Sequence, residues 1–124
     1  MPKKILLVDD SVTTRIMHRI LIQKNGDYDV TCAHDGKEAL RLAVSEKPDL
    51  ILMDVMMPGI DGLEACRQLR QKPQTHDVPI VLLTFRAGDE SIQRGLECGC
   101  NEYLVKPVAE AALISTLNRY LNKT

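Results

Sequence analysis

The feature that most constrains the fold is a strict alternation of two sequence patterns along the 124 residues. Short apolar runs predict five strands, at residues 5–8, 30–33, 50–53, 80–83 and 102–105. Between and after them, apolar residues at helical spacing predict five helices, within residues 12–21, 39–44, 63–69, 92–96 and 108–121. Alternating β and α elements favour a parallel sheet with helices on both faces and right-handed crossovers.

Length and composition favour one domain that occupies residues 1–124. The chain has the usual length of a single compact domain, and its 44% hydrophobic content is sufficient for a core. Glycines and prolines fall between the predicted elements, and no segment has the composition of a linker. We therefore expect no output domain within this chain.

Charge and hydropathy exclude two classes of partner. Sixteen basic against seventeen acidic residues give a net charge of -1, without the basic excess that binding to a phosphate backbone requires. No apolar run approaches the roughly 20 residues that cross a bilayer. We expect a cytoplasmic protein with reduced cysteines, no direct binding to nucleic acid and no insertion into membranes.

Polar residues interrupt the apolar pattern where each of four predicted strands ends. Asp9 and Asp10 follow the first strand, Asp54 the third, Thr84 the fourth and Lys106 the fifth. The carboxyl ends of parallel strands lie along one edge of the sheet, which is where ligands bind in open α/β folds. The pattern therefore predicts that these five side chains form one site.

Three neighbouring carboxylates would repel one another unless a cation lay between them. Mg²⁺ suits such a site because it prefers oxygen ligands and needs neither histidine nor cysteine. A carboxylate beside a metal and a lysine can attack phosphorus and form an acyl phosphate, and we expect Asp54 to be this nucleophile. Lys106 and the metal would neutralise the phosphoryl oxygens, and the Thr84 hydroxyl would donate a hydrogen bond to one of them.

Four motifs in this order resemble the receiver domains of two-component systems. They are Leu6-Leu7-Val8-Asp9-Asp10, Leu52-Met53-Asp54-Val55-Met56-Met57-Pro58-Gly59-Ile60-Asp61-Gly62, Leu83-Thr84 and Val105-Lys106-Pro107. The resemblance covers essentially the whole chain. It implies a flavodoxin-like (βα)5 fold, with a five-stranded parallel sheet of order 2-1-3-4-5 and helices on both faces.

The resemblance also implies a role for each matching residue. Asp9, Asp10, Asp54 and the Met56 carbonyl would bind Mg²⁺, with Asp54 as phosphoacceptor. Thr84 and Tyr103 would form a switch pair, and Lys106 would bind the phosphoryl group, with a cis bond to Pro107.

The implied function is a phosphorylation-dependent switch of the single-domain, chemotaxis type. A histidine kinase or histidine phosphotransfer protein would phosphorylate Asp54, and the phosphorylated protein would bind an effector through the predicted fourth helix, fifth strand and fifth helix. Surface residues there include Arg94, Glu102, Asn118 and Arg119. The chain would catalyse only its own phosphorylation and dephosphorylation, so we expect no enzyme in the usual sense.

The chain departs from the family at Phe85, because receivers mostly have a small residue directly after the switch threonine. We expect Phe85 to act as a gate that narrows access to Asp54. Two alternatives remain open at this stage. A blocked site would suit a phosphorylation-independent binding scaffold, and an aspartyl nucleophile would also suit a Mg²⁺-dependent phosphatase. Phosphatases of the dehalogenase type, however, have a second aspartate two residues after the nucleophile, where this chain has Met56.

Overall fold

A computed structural model describes residues 2–85, 93–94 and 96–122. Within them, five strands form one sheet: β1 (Lys3–Val8), β2 (Tyr28–Ala33), β3 (Leu50–Asp54), β4 (Ile80–Thr84) and β5 (Glu102–Val105). Their order is β2-β1-β3-β4-β5, and every pair of neighbours is parallel. Both the predicted strands and the predicted order are confirmed.

The helices of the described residues are α1 (Val12–Lys24), α2 (Gly36–Glu46), α3 (Gly62–Arg70) and the last helix (Glu110–Leu121). Of the predicted fourth helix, residues 93–94 and 96–97 are helical and Ile92 lies outside the described residues. None of these helices has the length and hydrophobicity needed to cross a membrane. Side chains at three N-termini, Ser11, Asp35 and Asp61, accept a hydrogen bond from the backbone N–H three residues later, which explains where α1, α2 and α3 begin.

The sheet has a hydrophobic core on each face. On one face, Leu6, Val8 and Met53 pack with residues of α2 and α3, and on the other, Leu7 and Leu52 pack with residues of α1 and the last helix. Successive residues of a strand point to opposite faces, so a strand between two cores must be apolar throughout. This requirement explains the continuous apolar runs of β1, β3 and β4.

Helix α1 buries a face that its apolar pattern does not reveal. The apolar residues that predict this helix include four with exposed side chains, Val12, Ile16, Met17 and Ile20. The buried residues of α1 are instead His18 and Ile22. The prediction of a helix is correct, but the helix keeps much of its apolar surface in contact with solvent and turns a histidine towards the sheet.

Candidate functional site

Four of the five predicted site residues converge at the carboxyl edge of the sheet and are buried. Asp54 and Thr84 are the last residues of β3 and β4, while Asp9 and Lys106 directly follow β1 and β5. Backbone hydrogen bonds hold these strand ends together, from Asp9 N to Ala33 O (3.1 Å), Val55 N to Leu83 O (2.9 Å) and Lys106 N to Thr84 O (2.7 Å). The parallel topology therefore brings together residues that lie far apart in the sequence.

The Lys106 side chain lies at the centre of the site. Its Nζ donates to Asp9 Oδ2 and to Asp54 Oδ2, each at 2.9 Å. The side chain of Lys106 is 5% exposed, that of Asp9 1% and that of Asp54 7%. Water is nearly excluded from this ion triad, so each charge interacts with its neighbours through a medium of low dielectric constant.

The two buried carboxylates are oriented in the same way. Asp9 Oδ1 accepts from Ser11 N at 2.9 Å, and Asp54 Oδ1 accepts from Met56 N at 3.2 Å. Each aspartate thus has one oxygen on the backbone N–H two residues ahead and the other on Lys106. This arrangement fixes both carboxylate planes before any ligand arrives.

The acidic residues fit a divalent cation. Asp9, Asp10 and Asp54 each offer a carboxylate oxygen, and these oxygens all lie within 4.8 Å of one another. Asp10 is exposed and the other two are buried, so the cluster opens to solvent on one side. Three carboxylates against the single ammonium of Lys106 leave two negative charges in excess, and oxygen ligands with this charge suit Mg²⁺.

The pKa values of Asp54 and Lys106 reflect this crowding. Burial raises the pKa of Asp54, and the hydrogen bond and charge of Lys106 oppose that effect without cancelling it. Burial acts to lower the pKa of Lys106, but its hydrogen bonds to Asp9 and Asp54 outweigh burial and leave the pKa raised. Lys106 therefore stays charged, whereas the ionised form of Asp54 is less favoured than that of a carboxyl group in water.

Gly62 allows α3 to begin directly beneath Asp54. A Cβ at this position would lie 2.3 Å from the Asp54 carbonyl oxygen and 2.8 Å from Val55 Cα. Both of these are backbone atoms, which cannot move aside without displacing the strand end. A hydrogen bond of 2.8 Å from Gly62 N to Val55 O holds the two backbone segments together. Any larger residue would therefore disturb the backbone that carries Asp54.

The predicted switch residues lie on neighbouring strands. Leu82 of β4 is paired with Tyr103 of β5, and Thr84 with Val105, so Thr84 and Tyr103 point to the same face of the sheet. Thr84 is buried, and Tyr103 is partly buried against the core that contains α2 and α3. Their placement suits a pair whose movements are coupled.

Three further features of the prediction concern the edge of the site. The Lys106–Pro107 peptide bond is cis, as predicted. Phe85 is 70% exposed, and its ring centroid lies 5.4 Å from Lys106 Nζ. Met56, whose carbonyl was predicted to be a metal ligand, has an exposed side chain.

Two residues of α1 that the sequence did not single out lie beside the site. The Arg15 guanidinium donates to the Asp9 carbonyl. His18 is buried, and its pKa is lowered by this burial and then by the charge of Lys106. Arg15, His18 and Ile22 are spaced three and four residues apart, so they share one face of α1. This spacing is the sequence signal for the face of α1 that lies beside the site. More numerous apolar residues on other faces of the helix obscure it.

The sequence is similar to those of known proteins. The model of the family described as response regulator receiver domain matches residues 5–118. Response regulator MprA of Mycolicibacterium vanbaalenii is 44% identical over 124 residues, which are all of this chain and 52% of that protein. The chain therefore spans about half the length of this curated relative.

Solved structures share the same fold. Chemotaxis protein CheY4 of Vibrio cholerae has a TM-score of 0.91 and 38% identity, covering 98% of this chain and 100% of that one. The receiver domain of sensor histidine kinase PA1611 from Pseudomonas aeruginosa PAO1 has a TM-score of 0.90 and 34% identity, covering 99% of this chain and 100% of that one. The latter was solved with a magnesium ion coordinated in its active-site cleft.

Proposed function

This chain belongs to the response regulator receiver domain family, and on that premise we propose that it is a switch which accepts a phosphoryl group on Asp54. The observation that carries the proposal is the pair of hydrogen bonds on the Asp54 carboxylate. Met56 N holds one oxygen, and Lys106 Nζ holds the other in an almost dry site. A carboxylate fixed in this way is oriented for attack before the phosphodonor arrives.

The proposed reaction is a transfer of the phosphoryl group from a phosphohistidine to Asp54. An Asp54 oxygen attacks phosphorus, the P–N bond breaks, and the departing imidazole takes up a proton. Lys106 and the Thr84 hydroxyl stabilise the charge on the phosphoryl oxygens. Asp9, Asp10, Asp54 and the Met56 carbonyl would hold Mg²⁺, which would supply further positive charge to offset that of the phosphoryl group.

The donor that we propose is a histidine kinase or a histidine phosphotransfer protein in the cytoplasm. The phosphorylated chain then binds a protein effector, as in chemotaxis-type signalling, through the surface formed by β5, the last helix and the helical residues around Arg94. Phosphorylation adds charge and acceptor oxygens beside Thr84, and a movement of Thr84 reaches this surface through Tyr103 on the neighbouring strand. The chain acts as one receiver domain over residues 1–124, and its catalysis is limited to its own phosphorylation and dephosphorylation.

A phosphorylation-independent scaffold is the second candidate, and Phe85 is the observation that favours it. Its aromatic ring lies 5.4 Å from the Nζ of Lys106, the residue that we propose binds the phosphoryl group. If the ring closed the site permanently, the chain would bind its partners without any change at Asp54.

Intact-mass measurement with Mg²⁺ and acetyl phosphate, and then with phosphorylated histidine phosphotransfer domains, separates the two functions. We expect the protein to gain one phosphoryl group, Asp54→Asn to gain none, and the matched control Asp29→Asn to behave like the wild type. Asp29 is exposed in β2, away from the site. Wild-type protein that stays unmodified by every donor, with no spectral change on adding beryllofluoride, would establish the scaffold instead.

A further inference from the structure

An exposed aromatic ring covers a buried cation at the candidate site. Phe85 directly follows Thr84 at the end of β4. Lys106 Nζ lies over the Phe85 ring, 5.4 Å from its centroid, within the range of about 6 Å over which cation–π attraction acts. The cation is buried and the aromatic side chain is largely exposed, so Phe85 is the boundary between Lys106 and solvent on this side.

The hydrogen bonds of Lys106 define what the ring does. An ammonium group has three N–H donors, and two of them are directed to Asp9 Oδ2 and Asp54 Oδ2. The ring lies close to the same ammonium, and its negative face attracts the cation. A phosphoryl group on Asp54 would need the ammonium for its own oxygens, so it would compete with the ring for the same cation.

We propose that Phe85 is a specificity-determining residue, whose ring caps Lys106 through its π face and so favours protein-borne phosphodonors over small ones. The proposal rests on the proposed function and adds to it a preference between classes of donor. The ring raises the cost of recruiting Lys106 for any donor. A small anion such as acetyl phosphate has few contacts with which to offset that cost, whereas a docking protein gains free energy by covering the exposed ring.

The chemical step is the same for both donors. With acetyl phosphate, an Asp54 oxygen forms a bond to phosphorus, the P–O bond to the acyl oxygen breaks, and acetate leaves with the electron pair. No oxidant or other co-reactant is needed. The donors therefore differ only in how they displace the ring, and a comparison of donors isolates the role of Phe85.

Three substitutions distinguish a cation–π cap from a plug that acts by size alone. Phe85→Ala removes both the volume and the π face, Phe85→Leu keeps most of the volume without the π face, and Phe85→Tyr keeps both. A cap predicts that labelling by acetyl phosphate becomes about two- to fivefold faster in both the Ala and Leu variants, the factor expected for a cation–π contact whose ring is largely exposed, and stays unchanged in Tyr. A plug predicts acceleration in Ala alone.

The measurement is the rate of phosphorylation by intact mass at fixed Mg²⁺, first with acetyl phosphate and then with a phosphorylated histidine phosphotransfer domain. We expect the ratio of the rate with acetyl phosphate to the rate with the phosphotransfer domain to rise in Phe85→Ala and Phe85→Leu. For acetyl phosphate, the maximal rate should change more than the half-saturating concentration. Val12→Ala, which truncates another exposed apolar side chain, serves as the control and should leave the ratio unchanged. Circular dichroism checks that each variant is folded.

A second readout tests the contact without phosphorylation. The ring current of Phe85 shifts the methylene protons of Lys106 next to Nζ, and in ¹³C–¹H NMR this shift should disappear in Phe85→Leu and persist in Phe85→Tyr. An unchanged ratio of rates in all three variants, or acceleration in Phe85→Ala alone, overturns the proposal and leaves phosphorylation of Asp54 intact. Failure of every variant to be phosphorylated by either donor overturns the proposed function as well.

Discussion

Two clusters in this protein pair a cation with carboxylate oxygens, and their surroundings are opposite. At the carboxyl edge of the sheet, Lys106 joins Asp9 and Asp54 with almost no exposure to solvent. On the outer side of β5, the Arg119 guanidinium of the last helix pairs with Glu102, and there the Arg119 side chain is 52% exposed. The outer cluster is completed by a hydrogen bond of 3.2 Å from the Tyr120 hydroxyl to Glu102 Oε2.

The same kind of ion pair therefore affects stability differently in the two places. Water screens the outer pair, so removal of either partner costs little free energy of unfolding. In the buried cluster each charge depends on its neighbours, and removal of the one cation, Lys106, leaves two carboxylates desolvated and uncompensated. The buried cluster is therefore sensitive to changes in charge, and the addition of a phosphoryl group is such a change.

Lys106→Met should have the largest effect of any single substitution in either cluster. It leaves two buried carboxylates without a cation, and we expect the free energy of unfolding to fall by about 3 kcal/mol at pH 7 without Mg²⁺. Urea unfolding followed by circular dichroism measures the loss. Mg²⁺ should restore part of it by binding the folded state. A loss that Mg²⁺ leaves untouched would contradict the account that two carboxylates without a cation cause it.

Asp54→Asn should change stability in the opposite direction and raise the free energy of unfolding at pH 7 without Mg²⁺. Burial raises the pKa of Asp54 in the folded protein above its value in the unfolded chain. The Asp54 carboxyl group therefore contributes fully to stability below the unfolded-state pKa, and this contribution is lost as pH rises through the folded-state pKa. The asparagine variant avoids that loss. The advantage of the asparagine variant should vanish near the acidic end of a urea–pH series, where Asp54 is protonated. Asp29→Asn, at an exposed position of β2, is the control substitution. An asparagine variant less stable than the wild type at pH 7 would contradict this account.

His18→Leu tests the edge of the buried cluster and should stabilise the fold by about 1 kcal/mol at pH 7. Among the described residues, the buried Nδ1 of His18 has no hydrogen-bond partner, and leucine removes this unsatisfied atom. Burial, and then the charge of Lys106, lowers the pKa of His18, while Asp9 acts in the opposite direction. The unfolded chain therefore binds a proton more readily, and the wild type loses stability as pH falls below the ordinary histidine pKa.

The gap between His18→Leu and the wild type should accordingly widen between neutral and mildly acidic pH in urea unfolding. His76→Leu is a suitable control because His76 is exposed. A gap that stays constant with pH would mean that shape and packing, and not titration of the imidazole, set the difference between leucine and histidine.

Much of this fold could be predicted from the sequence because burial on both faces leaves few choices to a strand. The residues that end the apolar runs, Asp54 and Thr84, are the last residues of β3 and β4, and a parallel sheet brings such ends together. The start of α3 can be predicted equally well, because aspartate is a favoured N-cap residue. In the structure Asp61 accepts a hydrogen bond from Glu64 N at 2.8 Å. In each case a local rule and the global topology agree.

The features that could not be predicted depend on the orientations of helices and side chains, which residue spacing does not determine. Apolar residues lie on more than one side of α1, so their spacing identifies the helix but not the face that is buried, and His18 was not recognised as a neighbour of the site. The sequence pointed to Phe85 as an unusual residue, but the position of its ring near Lys106 is a matter of side-chain torsion angles. The sequence thus predicted which residues form the site, but not the contacts that surround it.

Arg119→Met should have the smallest effect, and it makes the same change from cation to methionine as the substitution at Lys106. Arg119 is exposed and its neighbour Glu102 keeps the hydrogen bond from Tyr120, so we expect the urea midpoint to stay within the error of measurement. The two variants should be unfolded side by side in the same buffer, at low and at high salt. A loss for Arg119→Met that approaches the loss for Lys106→Met, or that disappears only at high salt, would show that the outer cluster contributes more to stability than its exposure implies.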